Sequence, residues 1–165
     1  MAKWGDANFD DLLKLKERLG DLRKVGLEDF ISGVARELAA RLLAEVVPRT
    51  PVGKYPAEMG KMGGTLRRGW TGGVDRAISS YAAALPIEKQ GNEYIITIEN
   101  PVEYGIYVEY GHRQTPGRFV PAIGKRLVVS FVPGQFMLRK SETYIDSFKD
   151  KLIEKKLVEL LKGVF

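Results

Sequence analysis

Residues Tyr94–Ser141, YIITIENPVEYGIYVEYGHRQTPGRFVPAIGKRLVVSFVPGQFMLRKS, decide how the chain folds. Tyr94, Ile96 and Ile98 alternate with Ile95, Thr97 and Glu99, the two-residue period of a strand. Both faces carry isoleucine, which predicts a central strand covered on both sides. Asn100-Pro101-Val102-Glu103 then has the makings of a helix start. Asn is a good N-cap, Pro suits the first helical position, and Glu at the third completes a capping-box pattern. The helix is expected to reach Tyr110, with Gly111 in the left-handed position past its end. Tyr104, Ile106, Val108 and Tyr110 alternate as well as any strand, but the end signals favour a short helix. A basic loop, 113–126, follows. LVVSFV (127–132) reads as a strand, and Pro133 is expected to open a final helix running to Lys162. Its apolar stripe drifts from Leu138, Ile145, Phe148 and Leu152 to Ile153, Leu157, Leu160 and Leu161. Such drift suits a long helix whose halves bury against different neighbours.

Upstream, 85–89 and 93–99 form an expected hairpin with Gly91-Asn92 at its turn. AISSYAAA (77–84) is ambiguous, because alanine favours a helix whereas Pro86 suggests the approach to a strand. From Leu27 to Val47, Ile31, Val34, Leu38, Leu42 and Val46 recur at helical steps, with Glu28, Arg36, Glu37, Arg41 and Glu45 opposite. One face of this helix should be buried, on a sheet, and Pro48 should end it. A further helix is expected from Asp6 or Asn8 to Leu19, with Gly20 as its stop, at the periphery within residues 1–25. Between Pro48 and Arg76 lie seven glycines and three prolines, with six Lys/Arg against two acids. This stretch far exceeds the usual connection of about 4–6 residues, so it reads as a functional loop or an arm that orders on a partner. The fold class is therefore α+β, one domain over 1–165. A small antiparallel sheet packs against a central helix and a long C-terminal helix, with long basic loops.

The totals narrow the chemistry. The chain has 165 residues, 44% hydrophobic and 28% charged, with a net charge of +5. A basic surplus favours acidic partners, nucleic acid or an acidic protein face. There is no cysteine, which removes disulfides and thiolate metal sites. MAKWGDANFDD lacks the apolar segment of a secretory signal, and no apolar run approaches the roughly 20 residues of a membrane span. A cytoplasmic origin and no membrane partner are expected. His112 is the one histidine, too little for a metal site, and no nearby side chain nominates a nucleophile for it to activate. Glu103 and Glu109, six apart, do not share a helical face, so they make a poor acid–base pair. Glu103 is expected to cap and Glu109 to form a salt bridge. Gly60-Lys61 is followed by Met62, which sets a phosphate loop aside. No catalytic residue, metal or cofactor is expected. Contact is. Arg67 and Arg68 flank Trp70 in the first basic loop, an arrangement suited to anchoring on a neighbouring subunit. Tyr107, Glu109, His112, Arg113 and Arg118 join them as candidate partner contacts. Tyr104, Tyr107 and Tyr110 beside Arg113 and Arg118 also fit single-stranded nucleic acid. The alternative function is thus a nucleic-acid-binding protein using basic loops 48–76 and 113–126.

NPVEYGIYVEYGHR (100–113), followed by a basic loop, FVPGQFMLRKS (131–141) and a lysine-rich terminal helix, resembles the minor tail component, or tail-completion, family of long-tailed bacteriophages. Members carry N-P-V-x-Y-A-x-Y-V-E-[YF]-G-H-R and then V-x-G-[RQ]-F-M-L. An upstream TPV…G-x-L-R-x-x-W segment is matched by Thr50-Pro51-Val52 and by Gly64-Thr65-Leu66-Arg67-Arg68-Gly69-Trp70. The likeness spans about residues 30 to 160. Two departures stand out: a longer spacer between Val52 and Leu66, and the extra apolar run LVVSFV. The resemblance implies a structural virion protein of the neck, joining or completing the tail at its head-proximal end. Its implied partners are connector or adaptor, tail terminator and tail tube subunits, in sixfold or twelvefold rings around the DNA channel. Assembly would take place in the host bacterial cytoplasm.

Overall fold

The computed structural model describes residues 26–55, 62–73, 76–121 and 124–162, with positions 14, 17, 20, 58 and 60 besides. Of the expected N-terminal helix only Lys14, Glu17 and Gly20 are described. All three are helical, including the expected stop at Gly20.

The molecule is built on α1, Leu27–Arg49. Glu28 and Asp29 in its first turn and Arg49 in its last complement the helix dipole. Pro48 does not end it as expected but lies inside the last turn. There the missing N–H removes one ladder bond without interrupting a helix body. Termination falls to Thr50, whose N–H donates to the carbonyls of Val46 and Val47 at 3.0 and 3.2 Å. The buried stripe is Val34, Ala39, Leu43 and Val46. It is rotated from the expected one, and Leu38 and Leu42 are only half-buried.

The ambiguous stretch 77–84 is helical from Ile78 on, and the expected loop 48–76 contains a short helix. The two helices are α2 (Thr65–Gly69) and α3 (Ile78–Ala84), which packs along α1. The next segment pairs as β1 (Glu88–Gln90) with β2 (Glu93–Ile95), and Gly91 turns between them at φ +63°. The ladder stops at Ile95. Ile96 and Ile98 continue as extended chain against the core, so the strand is not central in a sheet.

Helix α4 spans Gly105–Tyr110, shorter than the capping pattern predicted. Asn100 does not cap it but accepts from the Val102 N–H within its own turn. Gly111 then takes φ +82°, the positive sign expected, with an extended ψ of 174°. Four short strands follow: β3 (Gly111–Arg113), β4 (Phe119–Val120), β5 (Lys125–Arg126) and β6 (Phe131–Pro133). β3 pairs with β6, and β4 with β5, both antiparallel. The expected single sheet is therefore three two-stranded ladders among the described residues. Pro133 closes β6 rather than opening a helix. The C-terminal helix begins at Met137 and is broken at Ser147–Phe148 into α5 (Met137–Asp146) and α6 (Lys149–Lys162). The apolar drift in its sequence marks that break. α5 lies against α1 and is partly buried, while α6 has no fully buried residue.

The core gathers Ala39, Leu43 and Val46 of α1 with Leu66, Trp70, Ala82, Leu85 and Met137. Helices, not a sheet, cover the central helix. The α+β class stands, with the β part at the margin.

Candidate interaction surface

The surface is set by how the chain around α4 is held. Trp70 is 4% exposed, and its indole Nε1 donates to Thr50 Oγ1 at 2.8 Å. Thr50, itself buried, donates a hydrogen bond from its hydroxyl to the Val46 carbonyl at 2.7 Å. Arg67 reaches the same helix end, its Nε and Nη2 donating to the Thr50 carbonyl at 3.0 and 2.7 Å. Asn100 Nδ2 donates to the Leu66 carbonyl at 2.7 Å and so hooks the α4 turn onto α2. Glu109 is buried, and its carboxylate accepts the backbone N–H groups of Leu138 and Arg139 at 3.0 and 3.1 Å. Those are orphan donors at the start of α5, where a carboxylate is well placed by charge and geometry. The chain crosses itself tightly there. A Cβ on Gly134 would lie 2.2 Å from the Glu109 carbonyl oxygen, and one on Gly111 2.3 Å from that of Val132.

These facts correct several expectations. Trp70 is a core residue rather than a free anchor, because an indole needs both apolar cover and an acceptor and Thr50 supplies the latter. Arg67 closes the end of α1, and Arg68 Nη1 donates back to the Gly63 carbonyl at 3.3 Å. Glu109 caps a helix instead of forming a salt bridge.

What remains outward on α4 is apolar. Ile106, Tyr107 and Tyr110 are exposed, with Tyr104 just before them. Gly105, Val108 and Glu109 face inward, and Gly105 sits close on Leu66. Beside this band runs a groove of about 470 Å³, floored by Leu66, Trp70 and Met137 and rimmed by Glu99, Glu103 and Ile106. On the other side of β3, the chain passes through the paired strands β4 and β5 before it returns in β6, a β-hairpin between Gln114 and Ser130. Gln114 N–H donates to the Ser130 carbonyl at its base, Leu127 N–H to Arg118 and Gly117 N–H to Leu127. Phe119, Val128 and Val129 are exposed on it, as is Phe131 of β6. Arg126 lies over the Phe119 ring at 6.0 Å and donates to the Gly117 carbonyl.

His112, Arg113 and Arg118 are brought together around a cavity of about 600 Å³ at the hairpin base. The His112 ring stands edge-on to Tyr107 at 6.0 Å, and its Nε2 lies 3.1 Å from Gln114 Nε2. Its Nδ1 is buried without a hydrogen-bond partner among the described residues. No group of three or more His, Asp or Glu among the described residues could hold a metal ion. Nor is any described helix long and apolar enough to cross a membrane.

The sequence names Tyr107, Arg113 and Arg118 as candidate contacts and does not single out Ile106, Phe119, Val128 or Val129, which the structure leaves exposed. The run LVVSFV reads as a strand, and nothing local tells an apolar run that is covered from one left open.

The family described as "Bacteriophage HK97-gp10, putative tail-component" matches residues 13–111. The chain belongs to the HK97-gp10-like family. No curated protein and no solved structure matches it significantly. As a phage tail component it is a structural protein of the virion, and its partners are other virion proteins. The HK97-gp10-like match covers α1, α2, the Asn100 turn and α4, all the elements joined by the Thr50, Arg67, Trp70 and Asn100 bonds. The projecting hairpin lies beyond it.

Proposed function

We propose that this chain joins or completes the phage tail at its head-proximal end, in a ring with connector, tail terminator or tube subunits, and that it acts by adhesion rather than catalysis. The observation carrying this reading is the division of labour around α4. The polar motif residues Thr50, Arg67, Asn100 and Glu109 all turn inward to fix the backbone. The apolar residues Ile106, Tyr107, Tyr110, Phe119 and Val128 stay outside. An exposed apolar area of this kind, bordered by charge, suits protein–protein contact. In a ring, many modest contacts reinforce one another through effective concentration.

The test is to shorten the hairpin. Replacing residues 115–129 with a tight turn keeps the Gln114–Ser130 closure and all of the core. The variant should fold as stably as the parent yet leave heads and tails unjoined in an infected cell. Normal infectious particles would refute the reading. The Arg113, Arg118 and His112 cavity supports a second reading, contact with nucleic-acid phosphate. It predicts DNA affinity falling steeply with log salt concentration, whereas docking through the apolar band should persist at high salt.

A further inference from the structure

We infer that the hairpin 114–130 of one copy seats in the groove beside α4 of a second copy. The inference rests on the tail-joining reading for its biological setting, but the contact itself is argued from the chain alone. The two surfaces match in apolar character and in charge. Val128, at 85% exposed, is among the most open large apolar side chains described, and Val129 and Phe119 stand exposed with it. The groove volume, about 470 Å³, lies within the roughly 300–1,000 Å³ of sites that engulf a drug-sized body. It therefore has room for more than one bulky side chain. Its floor is apolar and fixed, since Leu66, Trp70 and Met137 are core residues.

Charge selects the partner. Residues 114–130 carry Arg118, Lys125 and Arg126 and no acid. The groove rim carries Glu99 and Glu103. A basic knob and an acidic-rimmed hole on one chain attract across a contact and repel knob from knob, which orients the approach. The hairpin does not fill the groove of its own chain, because Val128 is open to solvent and the hairpin base is pinned by the β3–β6 ladder. The giving and receiving surfaces differ, so the contact is heterologous. Each docked copy keeps one of each free, the requirement for a closed ring.

Cross-linking tests this on the purified full-length chain. The sequence has no cysteine, so every disulfide must come from introduced ones. Val128→Cys and Ile106→Cys are made as separate single variants, mixed and mildly oxidised. The expected product is the mixed Val128→Cys/Ile106→Cys dimer, several-fold in excess over links within either variant alone. Adding Glu99→Arg and Glu103→Arg to the Ile106→Cys chain should cut the yield several-fold. Adding Arg118→Glu and Lys125→Glu to the Val128→Cys chain should restore part of it. No mixed product, or one no more abundant than like-with-like links, would overturn the contact. The two readings fail separately. A mixed link that forms while phage lacking the hairpin still join heads to tails sinks the tail-joining role alone. Failed joining without any mixed link sinks this contact alone and points to a different virion protein as the hairpin's partner.

Discussion

The stretches 48–76 and 113–126 are alike on paper, both basic and interrupted by glycine and proline, yet they end in opposite places. In the first, Leu66 and Trp70 fold inward. They are four residues apart, so the short helix α2 sets them side by side facing α1. Thr50 Oγ1 then accepts the indole N–H bond, and Arg67 donates to the Thr50 carbonyl at the end of α1. The second folds outward. Its strands β4 and β5 pair with each other rather than with the core. Phe119 stays half-exposed beside Arg126, and Val128 stands open. Composition does not separate a loop that joins the core from one that leaves it. The spacing of its apolar residues and the presence of distant hydrogen-bond partners do.

That contrast can be broken most sharply by truncating one large side chain in each stretch. Trp70→Ala should destabilise the fold by about 3–5 kcal/mol, the usual cost of emptying a buried aromatic site. Val128→Ser should change stability by no more than about 0.5 kcal/mol, as exposed positions do. Chemical denaturation of both variants measures the difference, and equal losses would mean that the hairpin is as structural as the first loop.

The boundary between the regions is the crossing at Gly134. Gly134→Ala forces a Cβ against the Glu109 carbonyl and should cost about 1–3 kcal/mol by overpacking. Its thermal midpoint should drop, while Gly117→Ala, whose Cβ meets nothing within 4 Å, should show only the smaller strain of its positive φ. Glu109→Gln sharpens the same boundary. The amide keeps one acceptor oxygen but turns its N–H₂ toward the other backbone donor, a loss of about 1–3 kcal/mol. Fraying should appear first at Leu138 and Arg139 in amide exchange.

The smallest effect concerns α6, the most exposed helix. Glu37 on α1 pairs with Lys156 on α6 and with Arg41. The Lys156 hydrogen bond, then that of Arg41, holds the Glu37 carboxyl below its ordinary value of 4.5. A depressed carboxylate stabilises fully above that ordinary value and loses its contribution as pH falls through the lower folded one. The pair is partly solvated, so about 0.5 kcal/mol or less is expected. Acid titration followed by helix signal should show α6 loosening at the low end, and Lys156→Met should reduce that step.

Much of the scaffold was legible because its causes are local. Gly91-Asn92 marks a real turn, and the acidic start and basic end of α1 agree with its direction. The NPVEYGIYVEYGHR and TLRRGW segments pointed to the phage tail family that residues 13–111 match. The reading went astray wherever a residue answers to something far along the chain. Asn100 looks like a helix cap but bonds Leu66, 34 residues away. Pro48 looks like a stop, yet a last-turn proline costs little where Thr50 closes the helix.

The amino-acid order alone settled that this is a helix-rich α+β chain without cysteine chemistry, where its main helix lies, and which family it belongs to. Only the tertiary structure decided which charged and aromatic residues face inward. Trp70 and Glu109 are buried because their partners, Thr50 at 20 residues' separation and the Leu138 and Arg139 amides at 29 and 30, arrive through folding. Periodicity encodes the neighbours within a turn or a ladder, whereas burial depends on which distant segments come to rest against them.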